Sequence, residues 1–235
     1  MKIAGLQKTS LMDYPGNISC IVFTQGCNMR CPFCHNPELI SLQGKFEKSY
    51  LPLNYFWKFL EDKQKYLDGV VITGGEPTLQ KNLVTFIKKI KVMGLKVKLD
   101  TNGSNYKVIR NLINRELVDY IAMDVKLSLT NYNELFPIKD DKIIKNIEDS
   151  ILLLKHSKEL DYEFRTTVVP GLHNIEEIEK IAQLLSGAKL LFLQNFQPDI
   201  TLDKSFQEKK SFPESKLIEF REKAKKFIDH VEIRD

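Results

Sequence analysis

The chain alternates between two hydrophobic periodicities along most of its length. Short apolar runs rich in β-forming residues predict strands at 18–23, 69–73, 95–100, 120–124, 162–168 and 190–194. Apolar residues at helical spacing predict helices between them, at 53–64, 83–90, 106–114, 144–154, 174–185 and 211–228. A last strand is predicted at 231–233, and a hairpin with a strand at 3–6 and a turn at Pro15-Gly16 precedes the first long strand.

Strands that alternate with helices predict crossover connections and a parallel sheet. Six such units in 235 residues favour an α/β fold of the partial, open (β/α)6 TIM-like barrel type over an eight-fold barrel. No linker or internal repeat interrupts the pattern, so we predict a single domain over 1–235. Within it, 1–17 form a hairpin extension and 205–235 carry the C-terminal helix.

Helix ends carry their own signals. Asn174 with Glu177, and Ser211 with Glu214, resemble capping boxes that begin two helices. Gly94 and Gly187 are placed to end the helices that precede them. Residues 127–141 give no clear pattern.

Composition narrows the classes of protein to consider. The chain has 35 Lys and Arg residues and 31 Asp and Glu residues, which gives a net charge of +4. The charged residues are spread along the chain. We therefore expect no nucleic-acid partner. No apolar run reaches the ~20 residues of a membrane span, and the N-terminal residues lack a signal-peptide pattern. These features favour a cytoplasmic protein without a membrane partner.

The four cysteines lie within the first 34 residues, and three of them form the motif C-x3-C-x2-C at Cys27, Cys31 and Cys34. Three thiolates on one loop predict a 4Fe–4S cluster with one iron open to an external ligand. A zinc site completed by His35 is the alternative. Cys20 is expected to be a small buried strand residue. His35 is expected near the cluster or substrate rather than as a ligand.

Other polar motifs follow the predicted strands, where parallel α/β folds gather their reactive groups. They are Gly74-Gly75-Glu76-Pro77, Asp100-Thr101-Asn102-Gly103, Asp124-Val125-Lys126, 166–171 and 194–198. The two glycines would let a ligand approach their backbone closely. Glu76 would then offer a carboxylate to an ammonium group. Asp100, Thr101, Asn102 and Asp124 add hard oxygen atoms.

The cysteine motif, with Phe33 before its last member, resembles the signature of the radical S-adenosylmethionine (SAM) enzymes. Three longer stretches, at 5–16, 23–27 and 34–39, indicate one subfamily within that superfamily. They resemble the activating proteins of anaerobic ribonucleoside-triphosphate reductase, which are relatives of the pyruvate formate-lyase activating enzymes.

The resemblance implies roles for particular residues. Gly74, Gly75 and Glu76 would hold the amino group of SAM, while Asp100, Thr101 and Asp124 would hold a monovalent cation beside its carboxylate. The other implied SAM-site residues are Phe33, Asn102, Lys126 and Val168. Gln197 stands where formate-lyase activators carry a ribose-binding His, so its role is open.

The resemblance also implies an enzyme that cleaves SAM reductively at its cluster. The resulting 5′-deoxyadenosyl radical would take a hydrogen atom from a glycine of the reductase. No side chain would act as a general acid or base, and a flavodoxin- or ferredoxin-type protein would supply electrons.

Three alternatives stay open. The partner could be a formate-lyase-type enzyme, although residues 35–76 lack the cysteines of the ferredoxin-like insert that many such activators carry. The substrate could be a small molecule, as in deazaguanine synthase. The chain could also be a non-catalytic iron–sulfur or zinc module.

Overall fold

The computed structural model describes residues 1–41, 50–137 and 140–234. Two compact units form by their internal contacts. The first comprises Met1–Asn28, Glu38–Thr101 and Lys107–Ile121, and the second comprises Met29–Pro37, Asn102–Tyr106 and Ala122–Asp235. The single domain expected from the sequence stays a prediction.

The described residues form eight strands, which belong to one sheet in the order of the sequence. The strands are β1 (Ile3–Ser10), β2 (Ser19–Thr24), β3 (Gly69–Gly74), β4 (Lys96–Thr101), β5 (Tyr120–Asp124), β6 (Asp161–Val168), β7 (Leu191–Asn195) and β8 (Val231–Arg234). β1 is antiparallel to β2, and β2–β3, β3–β4, β6–β7 and β7–β8 are parallel. The predicted strands and their parallel pairing are therefore present.

In the first unit, the helices are α1 (Leu53–Lys63), α2 (Leu83–Val92) and nearly all of α3 (Tyr106–Asn114). The predicted hairpin is present and longer than expected, since β1 continues to Ser10. Gly16 in its turn has a φ of 69° and Gly94 beyond α2 has a φ of 80°, as turn and helix-stop residues require. α1 passes into a 3-10 helix at Gln64–Tyr66.

In the second unit, the helices are α4 (Asp141–His156), α5 (Ile175–Leu184) and α6 (Glu214–Ala224). Residues 127–137 include a 3-10 helix at Tyr132–Leu135, while 138 and 139 lie outside the described residues. In the described residues, no helix is both long enough and apolar enough to cross a membrane.

The two predicted capping boxes have different outcomes. Asn174 caps α5, since its Oδ1 accepts a hydrogen bond from the Glu177 backbone N–H at 2.8 Å. The prediction for Ser211 is wrong, because Pro213 precedes α6 and the Ser211 hydroxyl donates to the Phe196 carbonyl at 2.6 Å. α6 also ends at Ala224 rather than 228.

An ion pair between a buried carboxylate and a partly exposed guanidinium joins β6 and β8 of the second unit across β7. The Arg234 guanidinium donates two hydrogen bonds of 3.2 Å to the carboxylate of Glu163, whose side chain is 1% exposed. Arg234 also lies over the ring of Phe192, 3.3 Å from its centroid. The last strand therefore covers a carboxylate that would be costly to bury alone.

We predict that Arg234→Ala lowers the free energy of unfolding by about 2 kcal/mol, because it removes charged hydrogen bonds to a buried acceptor. Arg221→Ala is the matched control. Arg221 pairs with Glu222, whose side chain is 54% exposed, so its loss should cost less than about 1 kcal/mol. Urea unfolding measures both variants, and equal losses would contradict the assigned role of Arg234.

Candidate functional site

The three motif cysteines lie on irregular backbone, and none of the chain's four cysteines is in a disulfide. In the first unit, Cys27 is half-buried, and its N–H donates to the Ile40 carbonyl at 3.0 Å. In the second unit, Cys31 is buried and Cys34 half-buried, and the Cys34 N–H donates to the Cys31 carbonyl at 3.0 Å. Local backbone hydrogen bonds thus shape each part of the loop.

The two metal alternatives make different demands on these thiols. A zinc ion needs its ligands around one point. In the described part of the chain, no group of three or more His, Cys, Asp or Glu is placed to hold a single metal ion. In a 4Fe–4S cluster each thiolate binds a separate iron, so the sulfurs do not converge on one point. The donor set, three thiols and no disulfide, fits the cluster chemistry.

His35 lies beside Phe196 in the second unit, with ring centroids 6.2 Å apart. Burial lowers the pKa of His35, and the Asp199 carboxylate only partly opposes that effect. The imidazole is therefore neutral near pH 7. Phe33 is buried, at 4% exposure.

Cys20 has the surroundings expected of a structural residue. It lies in β2 with no exposed surface. Burial raises the pKa of its thiol to about 12, so the thiolate that a metal needs does not form near neutral pH.

The two glycines of the Gly-Gly-Glu-Pro motif meet protein backbone in the first unit. A Cβ on Gly74, whose φ is 117°, would lie 2.3 Å from the Thr24 nitrogen. A Cβ on Gly75 would lie 2.2 Å from the Gly26 carbonyl oxygen. The sequence suggested that a ligand needs these glycines. The structure gives a different reason, which is the close approach of β3 to the turn before Cys27.

Two hydrogen bonds hold that approach. The Gly75 N–H donates to the Thr24 carbonyl at 2.9 Å, and the Glu76 N–H donates to the Gly26 carbonyl at 2.7 Å. The residue that precedes Cys27 is therefore bonded to Glu76 of the neighbouring motif. This contact brings together two of the sequence-predicted motifs.

Glu76 is fully buried in the first unit. Its Oε1 accepts from the Thr78 N–H at 3.1 Å, from the Thr78 hydroxyl at 2.5 Å and from the Thr101 hydroxyl at 2.8 Å. The carboxylate is thus fixed in place by the end of β4 and by the 3-10 helix at Pro77–Leu79, which it caps. Glu76 and Thr101, both predicted site residues, are in direct contact.

Asp100 has a partner that the sequence interpretation missed. The Lys98 ammonium contacts Asp100 Oδ1 at 2.8 Å, and the two side chains are 3% and 14% exposed. Both residues lie on β4 two positions apart, so they share one face of the strand. That spacing was the available signal in the sequence.

Asn102 shapes a turn in the second unit. Its Oδ1 accepts from the Ser104 N–H at 3.0 Å and from the Ser104 hydroxyl at 2.6 Å. Gly103 between them has a φ of 76°, and a Cβ there would lie 2.0 Å from the Met123 methyl carbon. The described contacts of Asn102 are therefore those of an Asx turn.

Asp124 lies in a cluster of opposite charge at the end of β5. Its carboxylate accepts from the Arg165 guanidinium at 2.8 Å and from the Lys126 ammonium at 3.1 Å. Burial alone would raise the pKa of Asp124, but Arg165 and Lys126 outweigh it and lower that pKa to about 2. The Asp-Val-Lys motif in the sequence contains Asp124 and Lys126, whereas Arg165 lies on the neighbouring strand β6 and carried no signal.

Lys126 couples this cluster to the cysteine loop within the second unit. Burial alone would lower its pKa, but the Asp124 carboxylate and, to a lesser degree, the Cys31 thiolate raise that pKa well above its usual range. The ammonium group is therefore charged near neutral pH, and it interacts electrostatically with Cys31.

Two buried residues hold the backbone of Lys126. The Lys126 N–H donates to the Tyr132 hydroxyl oxygen at 2.8 Å. His173 Nε2 donates to the Lys126 carbonyl at 2.9 Å, while its Nδ1 accepts from the Val169 N–H at 3.0 Å. Burial lowers the pKa of His173, which keeps it in this neutral form. Neither residue carried a recognisable signal in the sequence.

The remaining predicted residues follow β6 and β7. Val168 ends β6 and is fully buried. Gln197 lies beyond β7 and is exposed. The contacts of the described residues assign neither of them a ligand.

Comparison with known proteins places these motifs in a family. Residues 21–185, more than half of the chain, match the model of the Radical SAM superfamily. A Methanocaldococcus jannaschii protein, provisionally named a glycyl-radical enzyme activating enzyme, is 38% identical over 234 residues, covering 99% of this chain and 95% of its own. The pyruvate formate-lyase-activating enzyme of Clostridium pasteurianum is 32% identical over 130 residues, which is 53% of this chain and 52% of its own.

A solved structure supports the fold. A radical SAM methyltransferase from Sphaerobacter thermophilus superposes with a TM-score of 0.69 at 16% identity, over 96% of this chain and 68% of that chain. Together with the mostly parallel eight-stranded sheet, this similarity confirms the predicted fold class.

We predict that Gly75→Ala lowers the free energy of unfolding by about 3 kcal/mol, because the added methyl group would overlap backbone that cannot move aside. Gly5→Ala is the matched control. A Cβ on Gly5 meets its nearest atom, in Phe23, at an ordinary 3.5 Å, so the change should be within about 0.5 kcal/mol. Urea unfolding of the two variants measures the difference. Equal stability would show that Gly75 is not required by protein packing.

Proposed function

Because the chain belongs to the radical SAM superfamily, we propose that it activates a glycyl-radical enzyme, and that this partner is an anaerobic ribonucleoside-triphosphate reductase. The family implies a 4Fe–4S cluster and SAM. When bound, these groups supply a 5′-deoxyadenosyl radical that takes a hydrogen atom from a glycine α-carbon. The observation that carries the proposal is the full-length similarity to a chain named for glycyl-radical activation, together with the C-x3-C-x2-C loop.

Cys27, Cys31 and Cys34 are the proposed cluster ligands. Their thiols meet the donor chemistry that iron–sulfur clusters require. The charged Lys126 ammonium interacts electrostatically with Cys31, one of these proposed ligands. Cys20 is excluded from this set by its burial within β2.

Glu76 is the proposed partner of the SAM amino group. Three hydrogen bonds from Thr78 and Thr101 hold one carboxylate oxygen in position, so little reordering is needed when a ligand binds. Lys126 offers an ammonium group to the SAM carboxylate. Phe33, Asn102, Val168 and Gln197 complete the proposed SAM site. Gly74 and Gly75 act indirectly, by fixing the backbone of Glu76 against Gly26.

The reductase is favoured over other partners by the N-terminal string at 5–16. This string covers most of β1 and part of the turn that leads to β2. In that turn, Leu11 is 71% exposed and Met12 is 89% exposed. Both side chains are therefore accessible to a protein partner. We propose cytoplasmic location and a flavodoxin- or ferredoxin-type electron donor as part of the same function. The similarity to a pyruvate formate-lyase-activating enzyme keeps a formate-lyase-type partner as the second candidate.

The direct test combines anaerobically reconstituted protein with reductant, SAM and the reductase. We expect a doublet glycyl-radical signal by electron paramagnetic resonance. A reductase whose target glycine is changed to alanine should give no signal. If the reductase stays silent while a formate-lyase-type enzyme responds, the reductase assignment is wrong.

Variants of this chain test the assigned residues in the same assay. Cys27→Ala, Cys31→Ala and Cys34→Ala should each lose stable cluster and radical formation, while Cys20→Ala should keep both. Glu76→Gln should retain the cluster and weaken SAM binding about 10- to 150-fold, because a charge-assisted hydrogen bond contributes roughly 1.5–3 kcal/mol. Unchanged SAM binding in Glu76→Gln would reject its role.

A further inference from the structure

A buried ammonium group stands beside Asp100 within the first unit. Lys98 is 2% exposed as a residue, and its Nζ lies 2.8 Å from Asp100 Oδ1. The same ammonium lies 5.8 Å from the centroid of the Tyr120 ring. Val97 and Leu99, its neighbours on β4, are fully buried.

The stability of the fold does not explain why a lysine occupies this buried position. Removing a charged pair from water costs about as much as the pair returns, and an apolar pair of similar volume is often as stable. A strand interior also favours β-branched or aromatic side chains over lysine. The Lys98 position is therefore explained better by what it does to Asp100.

The family resemblance implied a monovalent cation held by Asp100 and Asp124. The charges around these two carboxylates do not fit one. In the first unit, Lys98 already balances Asp100. In the second unit, Arg165 and Lys126 together more than balance Asp124. At either carboxylate, a metal cation would join a group whose charge is already balanced or exceeded by protein cations, so its electrostatic attraction there is weak.

We propose that the Lys98 ammonium takes the place of a monovalent metal cation beside Asp100. Lys98 is then a positioning residue: it neutralises Asp100 and fixes its carboxylate at the end of β4, next to Thr101, which holds Glu76. The inference rests on the proposed function, since it concerns SAM binding. It makes SAM binding by this chain independent of sodium and potassium.

The test measures equilibrium SAM binding to the anaerobic, cluster-loaded protein in potassium, sodium or tetramethylammonium chloride at equal ionic strength. Tetramethylammonium is too large for a carboxylate site that fits potassium. The wild-type dissociation constant should agree within about twofold in the three salts. Lys98→Met should bind SAM about 10-fold more weakly in tetramethylammonium, and potassium or sodium should restore most of that loss.

Two variants separate this role from a general loss of structure. Lys98→Met/Asp100→Asn removes both charges, so it should fold without an unpaired carboxylate and show no dependence on the metal cation. Lys91→Met breaks the ion pair with Asp119, whose side chain is 32% exposed and lies outside the site. It should remain as independent of the cation as the wild type.

The outcomes are distinct. A wild-type chain that binds SAM but loses more than fivefold in affinity without potassium or sodium overturns the inference and leaves the proposed function intact. A Lys98→Met variant that no cation restores also overturns it. A wild-type chain that binds no SAM in any salt refutes the proposed function, and this inference with it.

Discussion

The arrangement of the site depends on the close approach of the end of β3 to the turn after β2. Gly75 has no room for a side chain, because a Cβ would lie 2.2 Å from the Gly26 carbonyl oxygen. The hydrogen bonds from Gly75 to Thr24 and from Glu76 to Gly26 follow from that approach. Cys27 comes next in the chain, so one steric constraint places both the first cysteine of the C-x3-C-x2-C motif and Glu76.

Charge balance is the second organising feature. Each carboxylate at the strand ends is either held by hydroxyl and amide donors, as Glu76 is, or paired with a protein cation, as Asp100 and Asp124 are. Polar groups that already have hydrogen-bond or ion-pair partners need little reordering when a ligand binds, which lowers the entropic cost of binding. In the proposed function, the chemistry belongs to the cluster and SAM, and the role of the chain is to hold those groups in place.

The sequence predicted the strands, most of the helix bounds and the parallel pairing, because hydrophobic periodicity is a local signal. It could not predict Arg165 beside Asp124 or His173 beside the Lys126 carbonyl, because those contacts join segments about 40 residues apart. The contact between Lys98 and Asp100 could have been predicted, since residues two positions apart on a strand share a face. The Ser211 capping box failed because Pro213 takes the position before α6 and the Ser211 hydroxyl is bonded elsewhere.

The central claim is that three cysteines hold a 4Fe–4S cluster whose fourth iron is open to SAM. Mössbauer spectroscopy of the ⁵⁷Fe-reconstituted protein, with and without SAM, tests it most directly. The account predicts about four irons per chain and a change in the spectrum of one iron alone when SAM is added. Four irons that are all unaffected by SAM, or zinc in place of iron in protein purified without oxygen, would contradict it.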